Sequence, residues 1–190
     1  MSLRVISGKA KGRKLKTVPG ESTRPILTRI RENLFNILGI WVRGTRWLDL
    51  FAGTGSVGIE ALSRGAEHCL FLDVNRAAIR TIHENLRLTG LEDGAEVRRT
   101  DAFTFLKGDP AEYGGFDVIY IAPPQYKGMW SKALELIDAR PEWLTPEGIV
   151  IVQMDPREYE EIPLENLSLY DQRRYGKTML CFYERPAGEE

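Results

Sequence analysis

The hydrophobic residues among the first forty positions follow two different spacings. In residues 3–18, LRVISGKAKGRKLKTV, apolar and polar side chains alternate around two glycines, which predicts a β-hairpin with Arg and Lys on its solvent side. Residues 21–28, ESTRPILT, contain a proline and predict a loop. Residues 30–38 place Ile and Leu at helical spacing, and Gly39 predicts the end of that helix.

After residue 46, short apolar runs alternate with helical patterns. The predicted strands occupy residues 46–51, 68–74, 95–100, 116–121 and 147–154. The segment 167–185 predicts two more strands, which flank Gly176 closely enough to form a hairpin. Strands that alternate with helices are typical of a parallel sheet covered on both faces. The expected fold class is therefore α/β, with an antiparallel hairpin at one edge.

A glycine-rich turn follows the first of these strands. Residues 48–58, LDLFAGTGSVG, place Gly53, Gly55 and Gly58 in the spacing G-x-G-x-x-G, and Asp73 ends the second strand 20 residues after Gly53. Glycines allow the backbone to approach a ligand, and a carboxylate at the second strand's end can accept both ribose hydroxyls. The pattern fits a dinucleotide as well as any other adenosine cofactor.

Two further acids favour one cofactor over the other. Asp49 lies just before the glycine turn, where its charge would repel a pyrophosphate but attract the ammonium group of S-adenosylmethionine. Asp101, after the third strand, can accept a hydrogen bond from the adenine amino group, with Ala102 against the ring. We therefore predict S-adenosylmethionine as cofactor and S-adenosylhomocysteine as product. The candidate cofactor-binding residues are Asp49, Phe51, Ala52, Gly53, Gly55, Asp73, Val74, Asn75, Asp101 and Ala102.

No metal ion, membrane span or signal peptide is expected. The Cys and His residues show no paired metal-ligand spacing. No run approaches the roughly 20 apolar residues of a membrane helix, and the N-terminus lacks the apolar stretch of a signal peptide. The prediction is a cytoplasmic protein, monomeric, without a membrane partner.

The charge is distributed unevenly along the chain. Residues 1–46 contain eleven Lys and Arg against two Asp and Glu, whereas the remainder contains fifteen against twenty-five. A basic segment on an acidic body indicates a polyanion partner such as nucleic acid, although a solvated charged face remains the alternative. The candidate RNA-binding residues are Arg4, Lys9, Lys11, Arg13, Lys14, Arg24 and Arg31, together with Tyr126 farther along the chain.

Several of these segments resemble a known family. Residues 48–66, LDLFAGTGSVGIEALSRGA, resemble the cofactor motif of class I S-adenosylmethionine-dependent methyltransferases. RVISGKAKGRKL, TRPILTRIRENLFNIL and RRYGKTMLCFY occur in that order and resemble signatures of the bacterial small-subunit (16S) ribosomal RNA guanine-N2 methyltransferases, the RsmD-like family. The resemblance covers about the whole chain.

The resemblance carries expectations about fold and partner. It implies a Rossmann-like, seven-stranded, mostly parallel sheet whose last strand is reversed. It also implies a basic N-terminal extension, a hairpin plus a helix, that helps to hold ribosomal RNA or the assembling small subunit. The expected domains are an extension at 1–40 packed on a methyltransferase domain at 41–186, as a single structural unit.

The family's catalytic motif is altered in this sequence. In the family, Asp-Pro-Pro is followed by Tyr or Phe, and the acid accepts the hydrogens of the target amine while the aromatic ring stacks on the base. By position the motif falls on Ala122, Pro123, Pro124 and Gln125. Ala122 has no side-chain acceptor and Gln125 is neutral, so the carbonyls of Ala122 and Pro123 remain as acceptors. Tyr126, one position late, is the candidate for stacking.

Four interpretations follow from this departure. The preferred one is an enzyme that still methylates an RNA amino group, the exocyclic N2 of guanine, with backbone carbonyls and Gln125. The second is a methyltransferase with a different target atom or substrate. The third is a homologue that binds cofactor and RNA without catalysis. An NAD-dependent oxidoreductase is the remote fourth.

Overall fold

The computed structural model describes residues 2–20 and 25–187. The strands belong to one seven-stranded sheet, and the chain divides into two compact units, Met1–Thr100 and Asp101–Glu190. The predicted α/β fold with a seven-stranded sheet is confirmed. The predicted division into an extension at 1–40 and a domain at 41–186 stays a prediction.

The first unit is an all-parallel half-sheet with helices. Its strands follow the order β3-β2-β1. Asp49 lies opposite Phe71, and Phe71 lies opposite Val97, so the carboxyl ends of the three parallel strands lie along the same edge. The elements are α1 (Pro25–Leu38), β1 (Arg46–Asp49), α2 (Ser56–Ser63), β2 (His68–Asp73), α3 (Arg76–Thr89) and β3 (Ala95–Arg99).

The second unit contains the reversed strand. Its strands follow the order β4-β5-β7-β6; β4 is parallel to β5, whereas β7 is antiparallel to both β5 and β6. The predicted reversal of the last strand is confirmed. The elements are α4 (Ala102–Leu106), β4 (Phe116–Ile121), α5 (Met129–Ala139), β5 (Leu144–Met154), β6 (Ser168–Tyr175) and β7 (Thr178–Glu184).

The burial of individual strands explains why their sequences lack alternation. In β2 the four residues from Cys69 to Leu72 are each 0% exposed, and in β4 Val118, Ile119 and Ile121 are 0% exposed. Strands of a parallel sheet are covered on both faces, so side chains pointing either way must be apolar. The continuous apolar runs in the sequence therefore correspond to buried strands.

The helix ends follow local sequence chemistry, with one correction. Asn75 caps α3 as its position indicates, since its side chain accepts a hydrogen bond from the backbone N–H of Ala77 at 2.8 Å. The expected loop at 21–28 is wrong in its second half, because α1 begins at Pro25. Proline is well tolerated at the first helical position, where the backbone N–H has no partner inside the helix. Residues 21–24 lie outside the described residues.

The predicted N-terminal hairpin is present as a short antiparallel pairing. The N–H of Val5 donates to the carbonyl of Arg13 at 3.0 Å, and that of Leu15 donates to the carbonyl of Leu3 at 2.8 Å. A single β-bridge joins Arg4 to Lys14, so the pairing is shorter than a regular hairpin. Between the two arms, Lys9 and Ala10 also bond to Ser63 of α2.

That packing depends on one glycine and one serine. The Ser63 carbonyl accepts from the N–H of Lys9 at 2.8 Å, and its hydroxyl accepts from the N–H of Ala10 at 2.9 Å. Gly8 has φ +88°, and a β-carbon there would lie 1.9 Å from the Ser63 carbonyl oxygen. Only glycine therefore fits at position 8.

Within residues 2–20 and 25–187, no helix is long and apolar enough to cross a bilayer.

Candidate functional site

The glycine turn between β1 and α2 is held from two sides. The N–H of Ala52 donates to the carbonyl of Leu72 at 2.9 Å, and the N–H of Gly53 donates to Asp73 Oδ2 at 3.0 Å. Gly53 has φ +58° with nothing within 4 Å of a built β-carbon, and Gly55 has φ +80°. The turn therefore needs left-handed backbone, and it leaves open space above Gly53 where a ligand can approach.

Asn85 links this turn to the basic N-terminal segment. It is 0% exposed, and its amide nitrogen donates to the carbonyls of Thr54 at 2.9 Å and Lys16 at 3.0 Å. Its amide oxygen accepts from the N–H of Lys16 at 2.7 Å. The sequence analysis missed this residue; a buried-face Asn among the apolar positions of α3 was the available signal.

Asp49 is the most unusual acid of the first unit. It ends β1 and is 1% exposed, and its Oδ1 has no hydrogen-bond partner among the described residues. Burial raises the pKa of this carboxyl to about 7, a hydrogen bond from the backbone of Phe51 opposes the rise, and the charge of Asp73 adds to it. An unsatisfied buried carboxylate oxygen is costly, and a cationic ligand would satisfy it.

Asp73 lies at the end of β2, as predicted. Its Oδ2 accepts from Gly53, and its Oδ1 accepts from the N–H of Asn75 at 2.9 Å. Each carboxylate oxygen keeps a further lone pair for a ligand hydroxyl. The next residue, Val74, leaves 59% of its side chain exposed, which gives an apolar surface beside the carboxylate.

Asp101 and Ala102 are the first residues of the second unit. Asp101 caps α4: it accepts from the N–H of Phe103 at 3.3 Å and from the hydroxyl of Thr104 at 3.1 Å. Ala102 is 3% exposed. Asp101 therefore acts as a helix cap, and a contact to adenine would have to use its remaining lone pairs.

The residues of the first unit fit S-adenosylmethionine. The unpartnered Oδ1 of Asp49 suits an ammonium group, and Asp73 suits a ribose. The open space at Gly53 suits the chain that joins these groups. Among the described residues, no cluster of three or more His, Cys, Asp or Glu side chains is arranged to hold a metal ion.

The altered catalytic motif forms the turn after β4. Ala122 and Pro123 are half-buried, whereas Pro124 and Gln125 are exposed. The turn continues to Gly128, which precedes α5 with φ +63°. Gln125 therefore lies on the surface, and its role in contacting a ligand stays a prediction.

Tyr126 adopts a rare backbone conformation. Its φ is +61°, the only positive value at a non-glycine residue in the described chain. Left-handed backbone is strained for a bulky residue and persists only where surrounding contacts hold it. Tyr126 is 58% exposed, so an accessible aromatic residue lies one position after the one at which the family carries it.

The contacts that hold Tyr126 come from the loop after β5. The Tyr126 hydroxyl donates to Asp155 Oδ2 at 2.5 Å, and the Tyr126 N–H donates to Glu158 Oε1 at 2.5 Å. Arg157 donates to the Tyr126 hydroxyl at 2.6 Å and to Asp155 Oδ2 at 2.8 Å, and its guanidinium carbon lies 5.6 Å from the ring centroid. These contacts hold the pKa of Asp155 well below its ordinary value. The sequence analysis did not identify Asp155, Arg157 or Glu158.

The basic N-terminal residues mostly point to solvent. Of the basic residues predicted to bind RNA, the exposed ones are Arg4, Lys9, Lys11, Arg13 and Lys14. Arg24 lies outside the described residues. Arg31 differs from the rest, because it is 4% exposed, donates to the carbonyl of Arg4 at 2.6 Å and lies 3.9 Å from Glu60. Its observed contacts hold the N-terminal segment in place.

Glu60 anchors the basic segment to α2. It is 0% exposed, accepts from the N–H of Ile6 at 2.8 Å and of Ser7 at 3.1 Å, and pairs with Arg64 at 2.8 Å. A buried carboxylate with several donors is strongly ordered. The sequence analysis missed this residue too, although a charged side chain among the apolar positions of α2 was visible.

Comparison with known proteins assigns this chain to a family. The profile of the family described as "Conserved hypothetical protein 95" matches residues 3–184. The chain belongs to this family. The match confirms the family that the sequence resemblance indicated, and it covers both compact units.

The relatives with high identity are described as ribosomal RNA methyltransferases. YlbH of Bacillus subtilis, provisionally named an rRNA methyltransferase, is 41% identical over 96% of this chain and 99% of its own length. The "Ribosomal RNA small subunit methyltransferase D" of Haemophilus influenzae is 32% identical over 96% of this chain and 93% of its own. The solved structure of yhhF from Escherichia coli, provisionally named a methyltransferase, has a TM-score of 0.83 and 31% identity over 99% of this chain and 100% of that one.

Proposed function

We propose that this protein is an S-adenosylmethionine-dependent methyltransferase that modifies small-subunit ribosomal RNA at the exocyclic N2 of a guanine. The single observation that carries the proposal is the buried Asp49 carboxylate with an unpartnered oxygen after β1, which suits a cationic methyl donor. The relatives of known name, at 32–41% identity over nearly the whole chain, support RNA as the substrate.

Acidic residues at or just after the ends of β1, β2 and β3 bind the donor. When bound, S-adenosylmethionine supplies an activated methyl group on a positively charged sulfonium. Asp49 receives the donor's ammonium group and must be ionised to do so. Asp73, whose orientation is fixed by the backbone of Gly53 and Asn75, receives the ribose hydroxyls. Asp101, fixed by its cap on α4, receives the adenine amino group.

The residues of the second unit hold the base. The amino nitrogen of guanine is a poor nucleophile because its lone pair is delocalised, so the base must leave its stack and be held in line with the methyl group. The carbonyls of Ala122 and Pro123 and the amide of Gln125 accept the amine's hydrogens. Proline fixes the direction of these carbonyls. Charge that develops on nitrogen is then stabilised by neutral acceptors alone.

The exposed basic segment binds the RNA backbone. Its exposed Arg and Lys side chains neutralise phosphates, which gives affinity without sequence selection. Glu60 and Ser63 fix the segment on α2, so its charges are presented in one orientation. The proposed partner is ribosomal RNA or the assembling small subunit, and we propose that the enzyme acts as a monomer in the cytoplasm.

The test is transfer of a labelled methyl group. The protein is incubated with tritiated S-adenosylmethionine and unmodified small-subunit rRNA, both as free transcript and as assembled particle. We expect label in RNA that depends on the donor and that Asp49→Asn abolishes. Binding of donor and RNA without transfer would instead support the non-catalytic interpretation. Nicotinamide-dependent absorbance changes without transfer would support an oxidoreductase.

Removing the ring of Tyr126 is expected to weaken turnover on RNA. Stacking of a base on an aromatic side chain contributes about 1–3 kcal/mol, so Tyr126→Ala should lower kcat/KM for RNA by roughly 5- to 150-fold. Tyr126→Phe keeps the ring and should retain most of the activity. Steady-state kinetics at saturating donor measure both, with donor affinity from calorimetry as the folding control. If kcat/KM of the alanine variant for RNA is within twofold of the wild-type value, Tyr126 does not contribute to the site.

A further inference from the structure

The strand register of the second unit brings three connections to one edge of the sheet. Ile121, at the end of β4, lies opposite Val152 of β5. Met154, at the end of β5, lies opposite Met179 of β7. The turn between β6 and β7, Gly176 and Lys177, therefore lies at the same edge as the Ala122–Gly128 turn. Neighbouring strands are about 4.8 Å apart, so two strand spacings, roughly 10 Å, separate β4 from β7.

Exposed positive charge gathers at this edge of an acidic unit. Residues 101–190 contain nine Lys and Arg against seventeen Asp and Glu. Lys127, Arg174 and Lys177 are nevertheless exposed at this edge. Within residues 2–20 and 25–187, none of the three forms an ion pair with a carboxylate. Arg174 donates only to the carbonyl of Gly176, at 3.3 Å.

Three carboxylates near this edge have partners within the protein. Arg173, adjacent on β6, pairs with Asp171 at 3.0 Å. At the end of β5, Asp155 pairs with Arg157 at 2.8 Å, and Glu158 accepts from the N–H of Tyr126. The carboxylates of Asp155, Glu158 and Asp171 therefore have partners, and the three cations remain available to an external anion.

We propose that Arg174 and Lys177, with Lys127, bind phosphates of the RNA strand next to the nucleotide presented to residues 122–126. This inference rests on the proposed function and names the surface of the second unit that holds the substrate. A strand whose base enters the turn after β4 must continue past the neighbouring connections. The β6–β7 turn offers a guanidinium and an ammonium group there, and both bind phosphate oxygens well. These contacts position the strand and do not read its sequence.

The test compares two variants that differ in which face of the hairpin loses charge. In Arg174→Gln with Lys177→Gln, the two proposed phosphate contacts are lost. In Arg173→Gln, one positive charge is lost from the adjacent residue, whose side chain points to the opposite face of the strand. Binding to an unmodified small-subunit rRNA transcript is measured by titration at salt concentrations from 50 to 200 mM, with donor affinity measured in parallel.

The double variant should show a flatter salt dependence. Each lost phosphate contact makes the slope of log K against log salt concentration shallower by about 0.7–0.9. The slope for the double variant should therefore be shallower than the wild-type slope by about 1.4–1.8. Arg173→Gln should keep the wild-type slope, and all variants should bind S-adenosylmethionine equally.

The outcomes separate the two proposals. A wild-type slope in the double variant, with methyl transfer intact in the wild-type protein, would overturn this inference alone. An equal loss in Arg173→Gln would also overturn it, because the effect would then be one of general charge. Absence of any salt-dependent RNA binding by the wild-type protein would overturn the proposed function as well.

Discussion

Replacing Asp49 with Asn is expected to abolish the binding of S-adenosylmethionine and, at the same time, to stabilise the ligand-free protein above pH 7. The loss of binding follows from removing the charge that receives the donor's ammonium group. The gain in stability follows from burial, because a carboxylate that is 1% exposed with one unpartnered oxygen is costly to ionise. The Asp49 carboxylate thus lowers the folding stability of the ligand-free protein and allows it to bind the donor.

The pH dependence of this effect has a definite sign. The pKa of Asp49 is raised from 3.8 to about 7, so between these values the folded protein retains a proton that the unfolded chain has lost. The contribution of Asp49 therefore lowers wild-type stability as pH rises through this window. The cost above pH 7 reaches at most about 4 kcal/mol. Asparagine removes this dependence.

Thermal unfolding and calorimetry at pH 5 and pH 8 check the prediction. At pH 8, Asp49→Asn should raise the unfolding midpoint by at least about 3 °C, and at pH 5, which lies in the lower part of the window, by less than half as much as at pH 8. Wild-type affinity for the donor should rise with pH through 7. Asp109→Asn, which removes an exposed acid that caps a short turn, is the matched control and should keep wild-type donor affinity. Measurable donor binding by Asp49→Asn would contradict the assignment of this residue.

Restoring an acid at position 122 is expected to raise methyl transfer to an amino group. Loss of one preorganised charge-stabilising group typically costs about 10²–10³ in rate, and Ala122 stands where the family carries that group. Ala122→Asp should therefore increase kcat by up to about 100-fold, because a carboxylate accepts the amine's hydrogens better than neutral acceptors do.

A neutral replacement at position 122 distinguishes the effect of the added charge from the effect of the larger side chain. Ala122→Asn adds a side chain of the same shape without the charge, and we expect a much smaller gain. Single-turnover kinetics at saturating donor and RNA measure the chemical step in each variant. No gain in Ala122→Asp, with donor and RNA affinities unchanged, would favour the interpretation that this protein modifies a different target atom.

The strands and the cofactor turn could be predicted from the sequence because they depend on neighbouring residues. The run FDVIYI at residues 116–121 corresponds to β4. Asn75 caps α3 because its side-chain oxygen accepts a hydrogen bond from the N–H of Ala77, two residues farther along the chain. In each case the determining contacts are local or follow from burial on both faces of a parallel sheet.

The missed features depend on contacts between distant residues. Glu60 bonds to Ile6, 54 positions away, and Tyr126 bonds to Asp155, 29 positions away. No spacing rule connects such pairs. The left-handed φ of Tyr126 was likewise not visible, since it departs from what its residue type prefers. The burial of Arg31 shows the same limit, because clustering in sequence did not distinguish a solvent-facing Arg from one bonded to Glu60.

Identification of the methylated nucleoside tests the central claim most directly. Small-subunit rRNA labelled by the protein from S-adenosylmethionine would be digested to nucleosides and analysed by mass spectrometry, with Asp49→Asn as the negative control. The account predicts N2-methylguanosine in the wild-type reaction and none in the control. Label on a ring nitrogen or on another base, or no labelled nucleoside despite donor binding, would contradict it.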